Sequence, residues 1–124
     1  MTRNLNESIY PDYVEKQYPD ELRKVIARVR AALPNASILL MGPMDHGETT
    51  TPALEKLIDA QKQVAEETGC AFFNTFHAIG GAGTMDRCYH AQPRLVSANF
   101  MHPLPAGAAK VGALFEEALT GNYQ

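Results

Sequence analysis

The apolar positions between residues 19 and 33 recur at intervals of three and four, which is the spacing of one face of a helix. Pro19 suits the first turn, and the helix should end before Pro34, because a proline disfavours the α region in the residue that precedes it. The stretch 10–18 ahead of this helix is open to two interpretations, a short helix or an extended lead-in. The stripe predicts an amphipathic helix that buries Leu22, Val25, Ile26, Val29 and Leu33.

Two short, continuous apolar runs predict strands. The first covers residues 36–42 and the second covers residues 70–76. Runs of this kind are typical of parallel strands that are buried on both faces. A second helix is predicted between them, with Thr51 as a candidate N-cap, Pro52 in the first turn and Gly69 as its stop. Its buried face would be formed by Leu54, Leu57, Ile58, Val64 and Ala65.

The segment from residue 78 to residue 101 has little periodicity and holds the glycine-rich stretch Gly80–Gly83. Long loops in compact domains are usually functional, so we interpret this stretch as a flexible, lid-like loop. A last helix should begin near Pro105 and end near Gly121. Its inward positions would be Val111, Leu114, Phe115 and Leu119.

The order of these elements is helix, strand, helix, strand, long loop and helix, which predicts a three-layer α/β fold with about two parallel strands flanked by helices. All 124 residues fit one domain. Most sheets have about four to six strands, so the domain is expected to be truncated. The first strand would leave an unpaired apolar edge. We therefore expect a homodimer or higher oligomer, or a separate N-terminal half, to cover that edge.

Composition and charge exclude several classes of function. The formal net charge of -3 and the scattered basic residues give no electrostatic reason to bind nucleic acid. No apolar stretch approaches the roughly 20 residues that span a bilayer. Residues 1–6 have no apolar segment like that of a signal peptide. We expect a cytoplasmic protein without a membrane span.

The cysteines and histidines give no sign of a metal or cofactor site. Cys70 and Cys88 could form a disulfide or remain two buried thiols, and their spacing fits no zinc template. The stretch Gly80–Gly83 lacks the lysine of a phosphate-binding loop. The histidines are not paired at the spacing of metal ligands; they are His46, His77, His90 and His102. No cofactor and no metal are therefore predicted.

The segment Asn99–Gly107 resembles the closing block of the SGNH hydrolases, also called GDSL-type esterases, in which Asp-x-x-His-Pro precedes a turn and the final helix. Leu5–Ser8 resembles the third block of the same family, Gly-x-Asn-(Asp/Glu). The order of the predicted elements also suits this family. The resemblance implies a flavodoxin-like, three-layer SGNH-hydrolase fold, and it covers the C-terminal part of a typical member.

The resemblance also implies roles for three residues. His102 would be the base that deprotonates the nucleophile, and Asn6 would be an oxyanion donor. Asn99 stands where the family has the aspartate that orients the histidine. An amide can hold an imidazole but does not stabilise the imidazolium, and the equivalent exchange in a serine protease lowers turnover by about 10⁴-fold. Asp86 is the alternative acceptor for this histidine.

The nucleophile of the family has no counterpart in the matched segments. No Gly-Asp-Ser occurs in the sequence, and the nearest hydroxyls, Ser8 and Ser97, do not lie on a sharp strand-to-helix turn. The complete reaction would need a serine from outside this chain, which a separate N-terminal piece could supply; otherwise the chain would be inactive. We therefore predict an esterase-like hydrolase of short acyl or acetyl esters that is weak or inactive, with a small-molecule ester as its substrate. The alternative is a non-catalytic α/β assembly or binding module derived from that family.

Overall fold

The computed structural model describes residues 13–45, 51–98 and 102–121. Their elements, in chain order, are a π-helical turn Tyr13–Gln17, helix α1 Tyr18–Ala32, strand β1 Leu39–Met41, helix α2 Thr51–Thr68, strand β2 Ala71–Phe73, and helices α3 Thr75–Ala78, α4 Thr84–His90 and α5 Pro105–Gly121. The three long helices and both strands lie where the apolar pattern predicts them, although the strands are shorter than predicted. The π-helical turn favours the helical interpretation of the stretch ahead of α1.

Helices α1 and α2 run side by side and are joined at one end by a side chain. Pro19, Asp20 and Glu21 occupy the first turn of α1, where acidic groups complement the positive end of the helix dipole. Gly69 adopts a φ of 70°, a left-handed conformation that ends α2 as predicted. The guanidinium of Arg30 in the last turn of α1 donates to the carbonyl oxygen of Thr68, the last residue of α2.

The two strands form a parallel pair. Leu39 lies opposite Ala71, and Met41 lies opposite Phe73. The ladder continues at both ends, since the Ala71 N–H donates to the Ile38 carbonyl at 2.9 Å and the Gly42 N–H donates to the Phe73 carbonyl at 2.8 Å. The backbone groups of a strand alternate in direction, so those of Leu39 and Met41 point to the other edge. Among the described residues, no further strand pairs with that edge.

The helices lie on both faces of this pair. Leu40 packs against the core between α1 and α2, and on the opposite face the Phe73 ring meets the Phe115 ring of α5 edge-on at 5.2 Å. The predicted three-layer α/β architecture is therefore confirmed. The core on the side of α1 and α2 is formed by Val14, Tyr18, Leu22, Ile26, Leu57 and Val64. A neighbouring cluster is formed by Leu54, Ile58 and Phe76.

The face of β1 that points toward α5 is not covered by the described residues. Leu39 is 38% exposed and Met41 is 49% exposed, so the prediction that both faces of this strand are buried is wrong. A two-stranded sheet offers too little surface to bury every apolar position of three helices. Predicted core positions that are exposed instead are Val25 and Val29 of α1, Leu33 directly after that helix, and Leu119 of α5.

The glycine-rich segment is not a lid-like loop. It forms a tight turn that opens α4, in which Gly80, Gly81 and Gly83 have positive φ angles of 121°, 81° and 78°. The guanidinium of Arg87 donates to the carbonyl oxygen of Gly80 at 3.3 Å and to the Thr84 hydroxyl at 3.1 Å. These hydrogen bonds hold the turn against the helix that follows it.

The structure also bears on the state of the cysteines and on the character of the described helices. Cys70 and Cys88 are both free thiols and both are half-buried, so the disulfide alternative is wrong. In the described ranges, no helix combines the length and the apolar character that a membrane crossing requires.

Candidate active site

His102 lies at the end of a small antiparallel pairing that precedes α5. Val96 and Pro103 form an isolated antiparallel bridge, and the Ser97 N–H donates to the His102 carbonyl at 2.8 Å. Ser97 and His102 are therefore opposite residues, and the side chains of such a pair lie on the same face. The His102 side chain is exposed. Its backbone is thus held by a hydrogen bond, and the residue lies at the surface.

Helix α5 holds this pairing from the other side. The Leu104 N–H donates to the Leu95 carbonyl at 2.8 Å, and the Ala108 N–H donates to the Leu104 carbonyl at 2.8 Å. Gly107 is buried against the backbone of Leu95, and an added Cβ would lie only 2.0 Å from its carbonyl oxygen. Only glycine allows this close approach, which sets the position of α5 relative to the strand segment that carries Ser97.

Asp45 is a buried carboxylate that the sequence analysis did not identify. It lies in the loop after β1, is 1% exposed, and accepts a hydrogen bond from the Met85 N–H at 3.2 Å. Met85 lies in the first turn of α4, whose N-cap residue Gly83 has no side chain to accept from the free N–H groups. Asp45 therefore joins the carboxyl end of β1 to α4, and a carboxylate complements the positive end of the helix dipole.

Comparison with known proteins gives one solved structure with a similar architecture. It is the esterase domain of the ZfL2-1 ORF1 protein from the zebrafish ZfL2-1 retrotransposon, with a TM-score of 0.63 over 86% of this chain. The chain has the fold of an esterase domain. At 21% sequence identity this likeness establishes the fold. The resemblance to an esterase family that the sequence predicts is therefore confirmed for the fold. No protein-family model and no curated protein matches the sequence.

The esterase-type fold of this chain spans 60% of the length of that domain. Of the three residues to which the resemblance gives a role, His102 is described, whereas Asn6 and Asn99 lie outside the described residues, as do Ser8 and His46.

The remaining candidates have described contacts within their own helices. The Asp86 carboxylate, considered as the alternative acceptor, lies 3.6 Å from Nε2 of His90, one turn along α4, and both side chains are exposed. His77 belongs to α3, where its backbone N–H donates to the side-chain oxygen of Asn74 at 3.0 Å. In the part of the chain that the structure describes, no three His, Cys, Asp or Glu side chains cluster as metal ligands would.

Proposed function

We propose that the chain is a slow hydrolase of short acyl esters, including acetyl esters, and that His102 is its general base. The observation that supports this most directly is the position of His102. An exposed imidazole stands on a backbone held by Ser97 and continued into α5, within an esterase-type fold. A surface histidine whose backbone is fixed is suited to proton transfer.

The chemistry follows from the groups that the chain offers. The serine of the family's reaction has no counterpart in the matched segments of this sequence, so the slow hydrolysis that we propose for this chain alone uses water as the nucleophile in place of that serine. His102 takes a proton from the water as it attacks the ester carbonyl, and the tetrahedral intermediate then expels the alcohol, which receives that proton from the imidazolium. Asn99 would orient the imidazole and Asn6 would donate to the oxyanion. An amide at position 99 can hold the imidazole but does not stabilise the imidazolium, so we expect a low rate.

Hydrolysis of a short-chain aryl ester by the purified chain tests this proposal. General base catalysis contributes about 10²–10⁴-fold, so His102→Ala should lower the initial rate by at least about tenfold. His90→Ala is the matched control, because His90 is also exposed but belongs to α4. This control should keep the parental rate. Equal rates in the parent and both variants would contradict the proposal and favour the non-catalytic assembly or binding module.

The open edge of β1 supports a further part of the proposal, the pairing of two copies of this chain. The run Ile38–Met41 carries no charge and no proline, which are the usual devices that keep an edge strand from pairing. Leu39 and Met41 also expose apolar side chains beside that edge. A second copy related by a two-fold axis could extend the sheet, pairing with the open edge of β1 and covering the exposed apolar side chains beside it.

The molar mass in solution, measured by light scattering, tests the pairing. The parent should have twice the mass of one chain, and Met41→Lys should shift it to a single chain, because a lysine at the edge disfavours strand addition. Circular dichroism of the variant confirms that the helices are retained. A parent that has the mass of one chain at micromolar concentration would contradict the dimer.

A further inference from the structure

A cavity of about 260 Å³ lies between α4, the segment that follows it, and the first half of α5. Pro103, the residue after His102, forms part of its wall. Most of the wall is apolar, with contributions from Ile79, Leu95, Val96, Val111 and Leu114. Pockets for drug-sized ligands usually measure roughly 300–1,000 Å³, so this cavity suits a smaller molecule with an apolar body.

The charged side chains that line the cavity, among the residues that the structure describes, are all of one sign. Arg87 and Lys110 line it, and no described aspartate or glutamate does. The Arg87 guanidinium donates to backbone carbonyl oxygens and to Thr84, none of which carries a charge. Within the described ranges, neither cation forms a salt bridge with a carboxylate. The cavity therefore combines a largely apolar wall with two cationic side chains that form no salt bridge with a described carboxylate.

We propose that this cavity binds a short-chain aliphatic carboxylate, with the alkyl chain against the apolar wall and the carboxylate at the Lys110 ammonium. Transfer of the alkyl chain from water to the apolar wall is favourable, and the carboxylate forms a charge-assisted hydrogen bond with the ammonium. Lys110 is exposed, so it lies at the mouth of the cavity and keeps part of its hydration. The inference does not depend on ester cleavage, although the acid released from a short acyl ester belongs to the same chemical class.

Cys88 provides a direct reporter, because its half-buried thiol lines the cavity. The other cysteine, Cys70, lies at the far end of α2, beside Thr68 and Arg30. In a Cys70→Ala background, a maleimide reagent therefore reports on Cys88 alone. A ligand in the cavity should slow this labelling by a factor of 1 + [L]/Kd, which is about fivefold at four times Kd.

Hexanoate is the probe, and hexanamide and acetate are its controls. Hexanamide keeps the alkyl chain without the charge, and acetate keeps the charge without the chain, so the concentration that halves the labelling rate of Cys88 should be at least about tenfold higher for both than for hexanoate. Equal protection by hexanamide would overturn the role of the charge. Equal protection by acetate would overturn the role of the apolar wall. No protection by hexanoate would overturn the site itself.

Two variants locate the binding. Lys110→Gln should raise the hexanoate concentration that halves the labelling rate of Cys88 by at least about fivefold. Lys62→Gln, on the exposed side of α2, should leave that concentration unchanged. Val111→Phe should slow the labelling of Cys88 without ligand, because the ring fills the cavity, and should remove the effect of hexanoate. Unchanged protection in both Lys110→Gln and Val111→Phe would contradict the proposal even if the parent binds hexanoate.

Discussion

Gly107→Ala tests the close packing of α5 against Leu95, which fixes the segment that carries His102. A Cβ at this position would lie 2.0 Å from the carbonyl oxygen of Leu95 and 2.9 Å from its carbonyl carbon. Real Cβ atoms essentially never approach another atom more closely than 3.0 Å, so the helix would have to move by about 1 Å. The obstacle is backbone and cannot rotate away, and the same oxygen accepts the Leu104 N–H.

The cost of this substitution can be estimated from three contributions. Overpacking costs about 1–3 kcal/mol, and weakening the hydrogen bond between Leu104 and Leu95 adds about 1 kcal/mol. The higher helix propensity of alanine offsets at most about 1 kcal/mol of this cost. Gly107→Ala should therefore lower the free energy of unfolding by about 1–3 kcal/mol.

The same helix offers a matched control. A Cβ at Gly112 would meet no atom within 4 Å, so Gly112→Ala should raise the free energy of unfolding by about 0.5–1 kcal/mol. Urea unfolding followed by circular dichroism should show midpoints that move in opposite directions, with a denaturant slope near that of the parent. If both variants were stabilised equally, α5 would not approach Leu95 as described, and the argument for the fixed position of His102 would fail.

Two further predictions concern contacts between elements. Asp45→Ala should lower the free energy of unfolding by about 1–3 kcal/mol because the Met85 N–H loses its buried acceptor, and exposed Asp86→Ala should have less than about half that effect in the same urea titration. The hydrogen bond from Arg23 lowers the pKa of Glu67 below its ordinary value of 4.5. This stabilisation is present above that value and is lost as the pH falls through the lower pKa of the folded state. Glu67→Gln should flatten that part of the pH profile of the urea midpoint, and an unchanged profile would refute this assignment.

The sequence predicts the long helices and the strands well, because their signals are local. All five predicted inward positions of α2 are buried, since that helix packs against both α1 and the sheet. In α1, the same periodicity predicts burial for Val25 and Val29, yet both are exposed. Periodicity shows which face of a helix is apolar, but burial also requires a neighbouring surface, which no local pattern can supply.

The remaining parts of the structure depend on contacts between distant residues. Helix α4 has only seven residues, and it is held by Arg87 and by Asp45. Asp45 lies 40 residues before Met85, so no local spacing links the two. The sequence could propose His102 because a motif surrounds it. It could not predict that Ser97 would lie opposite that histidine, since this depends on the antiparallel bridge.

The rate of ester hydrolysis by the Asn99→Asp variant tests the central claim most directly. A carboxylate at position 99 would stabilise the imidazolium of His102, so the initial rate on a short-chain aryl ester should rise by at least about tenfold over the parent. The gain should disappear when His102→Ala is added to the variant. An unchanged rate in Asn99→Asp, or a gain that persists without His102, would contradict the assignment of His102 as the base of an ester-hydrolysing site.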